Sequence, residues 1–186
     1  MMSRMVKLGV TLMVVGIVAA FGLGITYAVT KKKIDQENKL AEAKASMTAL
    51  PGIKSPAELV EDPKLLSAVN KKYPDVQKVL SSRIGDIFIM KTKGYGGPME
   101  LAVGVGNDGK VKGVSVISNR ETMGLGSKVL AEENLAKYRG KSTSDPLVVG
   151  KDVQAVTGAT ITTRAVTSQA KEALAAFSLL RGTGQD

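Results

Sequence analysis

Thr157-Gly158-Ala159-Thr160-Ile161-Thr162-Thr163 crowds four hydroxyls and three small or apolar residues onto the join between an extended run and the last helical segment of the chain. Free N–H groups and the positive end of the helix dipole at such a join attract an anion, and a glycine lets the backbone approach it closely. The segment reads as a phosphate seat, although Thr160 or Thr162 would serve equally as an ordinary helix N-cap. A second glycine-spaced loop, Arg120-Glu121-Thr122-Met123-Gly124-Leu125-Gly126-Ser127, precedes it.

The composition limits the chemistry further. The 186 residues contain no Cys and no His, so the usual zinc, haem and iron–sulfur ligands are missing, as are Ser–His and Cys–His nucleophilic pairs. Metal ligation is not expected, and redox chemistry would need a bound organic cofactor. Gly104-Val-Gly106-Asn-Asp-Gly109 has the spacing of a dinucleotide fingerprint, but Lys110 to Val116 continues as a strand where that fingerprint needs a helix. A P-loop is excluded because no Gly-Lys-Ser/Thr follows the glycines.

The elements that must position these loops fall into three parts: an anchor over residues 1–30, a stalk over 31–50 and a domain over 51–186. Leu8 to Val29 is a run of 22 uncharged, mostly apolar residues. About 20 such residues span a bilayer, whereas the apolar core of a cleaved signal peptide is only about 7 to 15 long. Thr26-Tyr27-Ala28 is also a poor cleavage site, so a single transmembrane helix is expected. Arg4 and Lys7 before it nearly balance Lys31, Lys32 and Lys33 after it, and the positive-inside rule gives no clear orientation. These five cations account for more than half of the formal net charge of +9. The remainder is only mildly basic, with scattered aromatics, and no nucleic-acid partner is expected.

Residues 31 to 49 are rich in Lys, Glu and Ala and predict a helical continuation of the anchor, a stalk ending at Pro51-Gly52. Ser55-Pro56-Ala57-Glu58 has the form of a capping box, and Asp62-Pro63 offers a second helix start. One or two short helices are expected there, burying Leu59, Val60, Leu65, Leu66 and Val69. Strands are expected over 84–90, 100–105 and 111–118, with Asn107-Asp108-Gly109 as the hairpin turn between the last two. A helix is expected over 129–138, and an amphipathic closing helix over 162–180 with Val166, Ala170, Ala173, Leu174 and Phe177 inward. The order of elements argues an α+β fold: an N-terminal transmembrane helix and stalk, then a small antiparallel sheet with flanking helices.

Thr157 to Thr162 resembles the [S/T]-G-A-T-x-[S/T] flavinylation motif of the FMN-binding domain family. That domain is shared by the G subunit of the Rnf electron-transport complex and the C subunit of the sodium-translocating NADH:quinone oxidoreductase. Glu121 to Gly126 is similar to the E-T-P-G-L-G loop of the same family, with Met123 in place of Pro. Gln154 stands where an acid often lies, and Asp152 is two residues earlier.

The resemblance covers nearly the whole chain and fits the Rnf protein better. It implies covalent FMN, joined by a phosphoester to Thr162 and installed by an FMN transferase. Thr157, Gly158, Ala159, Thr160, Glu121, Thr122, Gly124, Leu125 and Gly126 would form the binding site. Leu125 would pack on the ring, Glu121 would meet the flavin or Arg120, and Arg164 with Lys128 or Lys151 would offset the remaining phosphate charge. The implied role is electron relay among other membrane subunits of an ion-translocating oxidoreductase, with the domain on the extracytoplasmic side. A non-catalytic, membrane-anchored flavin sensor or regulatory module is the alternative.

Overall fold

A computed structural model describes residues 2–182, which divide into two units at Leu40/Ala41. The first unit is helix throughout. Helix α1 runs from Met2 to Ala49, and residues 3–40 are exposed on every side. Its most apolar window has a mean hydropathy of 2.4 with none of it buried, so it is long and apolar enough to cross a membrane.

The second unit begins with the last turns of α1. A 3-10 turn over Pro56–Glu58 leads to strand β1 (Val60–Glu61), helix α2 (Pro63–Asn70) and strand β2 (Val76–Ser82). Strands β3 (Gly85–Lys93), β4 (Pro98–Gly106) and β5 (Val111–Asn119) follow, then two short helices, α3 (Gly126–Val129) and α4 (Glu132–Leu135). A 3-10 turn at Ala136–Tyr138 and helix α5 (Thr160–Gly182) complete it. The five strands form an antiparallel sheet in simple order β1-β2-β3-β4-β5, which agrees with the α+β expectation.

The sheet is covered on both faces, so successive residues of β3 are buried in alternate directions. Phe88 and Met90 join Val79, Leu101 and Val103 against α5, which contributes Val166, Ala170, Ala173, Leu174 and Phe177 as expected. Ile87 and Ile89 join Leu80 and Ala102 against Ala45, Ala49 and Leu50 at the end of α1. Gly104 and Gly113 are paired across β4 and β5 beneath that end. A methyl on Gly104 would overlap the Ala49 carbonyl oxygen, and one on Gly113 would lie 2.9 Å from it. Two glycines therefore let the helix backbone rest directly on the sheet. Lys78 adds an ion pair to Glu42 at 2.9 Å.

The turn after β4 replaces the false nucleotide fingerprint. Gly109 has φ +71 and donates to the Gly106 carbonyl at 2.8 Å, and Gly106 N–H closes the hairpin onto Lys110 O. The capping box at Ser55 and Glu58 is present, but it starts a single 3-10 turn, whereas Asp62 caps a true helix.

Three expectations are corrected. Val60 is 64% exposed because β1 is a two-residue edge strand, while Val69 is the buried residue of its group. Strand β2 was not expected. The helix over 129–138 is broken into turns, since Ala131 is extended (φ −65, ψ 144) and the Asn134 amide donates to Lys128 O at 2.7 Å.

Candidate functional site

Gly158 makes the bend before α5. At φ +79 it holds a backbone shape that side chains disfavour, and it lets Ala159 N–H reach Val156 O at 2.9 Å. The helix starts at Thr160, two residues earlier than the expected Thr162. Thr163 locks the first turn by giving both its N–H and its hydroxyl to Ala159 O, each at 2.9 Å. Among the described residues nothing accepts from the N–H groups of Thr160, Ile161 and Thr162, as expected for a helix start without a side-chain cap. Neither Thr160 nor Thr162 acts as an N-cap through its hydroxyl. These open donors suit a phosphate.

The hydroxyls differ sharply in surroundings. Thr157 and Thr160 are exposed, while Thr162 is 0% exposed. Its Oγ1 donates to Glu121 Oε1 at 3.2 Å and accepts from Tyr95 N–H at 3.3 Å. Glu121, 9% exposed, accepts at its other oxygen from Gly96 N–H at 3.1 Å. It forms no ion pair with Arg120 or with any other cation among the described residues. Of its two expected partners, the flavin or Arg120, the second is therefore not paired with it. Methyl groups on Gly94 or Gly126 would fall on the carboxylate oxygens, so glycines from two loops make its seat.

Leu125 faces the bend, where a methyl on Gly158 would stand 3.2 Å from its Cδ2. A groove of about 390 Å³ opens there, lined by Tyr95, Leu125, Gly158, Ala159, Thr160 and Ile161. This volume lies in the range of small-ligand sites. Tyr95, Leu125 and Ile161 are 69%, 45% and 54% exposed, leaving apolar surface at the groove for a planar ring.

Thr122 is exposed and its carbonyl accepts from Ser127 N–H at 3.4 Å; the Gly124 N–H is taken by Ser127 Oγ at 3.0 Å. Arg164, Lys128 and Lys151 are exposed. A larger groove of about 650 Å³, lined by residues including Gln77, Lys78, Lys91 and Glu100, takes in Arg120 at the start of the second loop but none of residues 121–126 or 157–163.

The sequence reading missed Tyr95, Gly94 and Gly96. Their signal was the tip Gly94-Tyr95-Gly96-Gly97, an aromatic among glycines between two strands. Asp152 is committed elsewhere. It accepts from Val148 N–H at 2.8 Å, Leu147 N–H at 3.1 Å and Lys141 Nζ at 3.1 Å. The Val148 bond first, with help from Lys141 and Leu147, holds its carboxyl below the usual range.

The FMN-binding domain family matches residues 94–175, a stretch that holds the glycine-rich tip, β4, β5, the second loop, the hydroxyl bend and most of α5. The chain is 33% identical over 181 residues to the G subunit of the Na(+)-translocating ferredoxin:NAD(+) oxidoreductase complex of Acetobacterium woodii, covering 87% of this chain and 86% of that one. It is 38% identical over 132 residues to the proton-translocating counterpart of Clostridium ljungdahlii, covering 67% and 70%. The G subunit of the ion-translocating oxidoreductase complex of Vibrio cholerae is 30% identical over 189 residues, covering 94% and 90%. This chain belongs to the family of Rnf complex G subunits, electron-transfer flavoproteins of ion-translocating oxidoreductase complexes.

Proposed function

We propose that this chain is a single-pass membrane flavoprotein whose FMN is esterified to Thr162, and that it passes electrons between other membrane subunits of its complex. The observation that carries the attachment is the position of Thr162 in the first turn of α5, whose free N–H groups border the groove beside Leu125. The N–H groups of Thr160, Ile161 and Thr162 would hold the phosphate, and Arg164 and Lys128 would offset its charge. Tyr95, Leu125 and Ile161 would cover the ring, and the Thr122 to Gly126 loop would supply polar contacts.

FMN held there supplies one-electron and two-electron transfer, and the protein contributes position and electrostatic environment. An FMN transferase is the partner for maturation. Helix α1 would be the anchor, with the domain on the extracytoplasmic side.

Thr162 is buried, so attachment requires the 94–97 tip to move aside from its hydroxyl. The test is a denaturing gel of protein made together with the FMN transferase. Ultraviolet flavin fluorescence should stay with the wild-type band and vanish in Thr162→Ala. A dark wild-type band with flavin released into solution would remove the covalent link and leave the alternative of a dissociable FMN site.

A further inference from the structure

A carboxylate that is nearly buried and lacks a cation is costly unless its oxygens are well served by donors. Glu121 has two donors, the Thr162 hydroxyl on one oxygen and Gly96 N–H on the other. Three glycines crowd around it: a methyl on Gly94 or Gly126 would strike its oxygens, and one on Gly96 would lie 2.9 Å from its Cα. A neutral amide could tie the same loops together without placing a charge there. A carboxylate against one hydroxyl is instead the arrangement of a base beside its nucleophile.

The elements involved make the same distinction. Tyr95 and Gly96 belong to the hairpin tip between β3 and β4, whereas Glu121 precedes α3 and Thr162 opens α5. Moving the tip would uncover the hydroxyl and break only the bonds from Tyr95 and Gly96. The Thr162–Glu121 bond would persist.

We infer that Glu121 is the general base for the modification of Thr162, a role that rests on the attachment proposed for that hydroxyl. Forming a phosphoester from an alkyl hydroxyl needs an activated donor, here a phosphoanhydride of FMN with a nucleoside monophosphate. Thr162 Oγ1 attacks the phosphorus of the FMN half and the new O–P bond forms. The anhydride O–P bond breaks, and the nucleoside monophosphate leaves with its electron pair. The hydroxyl proton passes to Glu121 Oε1, and nothing is oxidised or reduced. The chain thus brings its own base to the reaction, while the transferase binds and orients the donor.

The test uses the full-length chain, made without the transferase and purified in detergent. It is mixed with purified FMN transferase and flavin adenine dinucleotide, and covalent flavin is followed by fluorescence of the denatured band. Glu121→Gln should lower kcat for labelling about 100-fold, the usual lower scale of general-base catalysis, with KM for the dinucleotide unchanged. Glu121→Ala should be equally slow and should regain rate in proportion to added formate, which can occupy the vacated seat.

Circular dichroism and melting midpoints report folding of both variants. Wild-type labelling at Thr162 with undiminished labelling of Glu121→Gln would overturn the role of Glu121 alone. Slow labelling without formate rescue, accompanied by loss of the melting transition in both variants, would also overturn it by assigning Glu121 to structure. A wild-type chain that accepts no covalent flavin would overturn the attachment itself, and this role with it.

Discussion

Gly126 and Glu121 are so close that a methyl group on the first would occupy the place of the second's carboxylate. Gly126 is buried at the start of α3, where the helix itself would accept alanine. The glycine is therefore required by the neighbouring side chain and by nothing in its own backbone.

Gly126→Ala should lower stability by about 1–3 kcal/mol, the usual range for overpacking a buried site. Adding Glu121→Ala should recover part of that loss, because residues in contact couple. Urea unfolding of the two single variants and the double variant measures the coupling. Strict additivity would contradict the contact.

Gly104 meets backbone, which cannot rotate away as a side chain can. Gly104→Ala should cost about 1–3 kcal/mol by pushing the Ala49 carbonyl off the sheet. Gly182→Ala, with open space around it, should be neutral or slightly stabilising. The difference in melting midpoint between the two variants reads this directly.

The sequence announced its local signals well. Asn107-Asp108-Gly109 marked the hairpin and Asp62-Pro63 a helix start, because both depend on residues adjacent in the chain. Strand β2 was hidden, since Val76 to Ser82 mixes apolar and polar residues without a clean period. The helix over 129–138 failed because the extended backbone at Ala131 separates Val129 from Leu135 and Tyr138, and all three reach the same core. At the site, both motif loops were legible, but their meeting at Thr162 and Glu121 spans 41 residues and depends on the fold. Tyr95 was invisible as a partner because it contributes its backbone N–H, which any residue could donate.

Tyr138 ties the turn after α4 to the functional helix. Its hydroxyl shares a 2.8 Å hydrogen bond with the Thr167 hydroxyl, with Tyr138 2% and Thr167 3% exposed. Tyr138→Phe should lose about 0.5–1.5 kcal/mol, because Thr167 still donates to Thr163 O at 2.7 Å and is not orphaned. A chemical denaturation curve for this variant gives the value.

Asp152 carries a pH dependence whose sign is fixed. Its carboxyl is held below the ordinary value of 3.8, chiefly by Val148 N–H. Its contribution is therefore fully present above the ordinary carboxylate range and is lost as pH falls through the lowered folded value. Wild type should lose urea resistance on going from about pH 5 to about pH 3, where unfolded carboxylates take up protons. Asp152→Asn should be weaker at neutral pH and show a shallower acid loss. An unchanged acid limb in this variant would contradict the assignment.

Covalent attachment at Thr162 is the central claim, and mass spectrometry tests it most directly. Trypsin should release residues 152–164, between Lys151 and Arg164, with Thr157, Thr160, Thr162 and Thr163 on one peptide. In protein matured with the FMN transferase, that peptide should gain the mass of one FMN less one water, and fragmentation should place it on Thr162. The unmodified mass, or the added mass on Thr157, Thr160 or Thr163, would contradict the account.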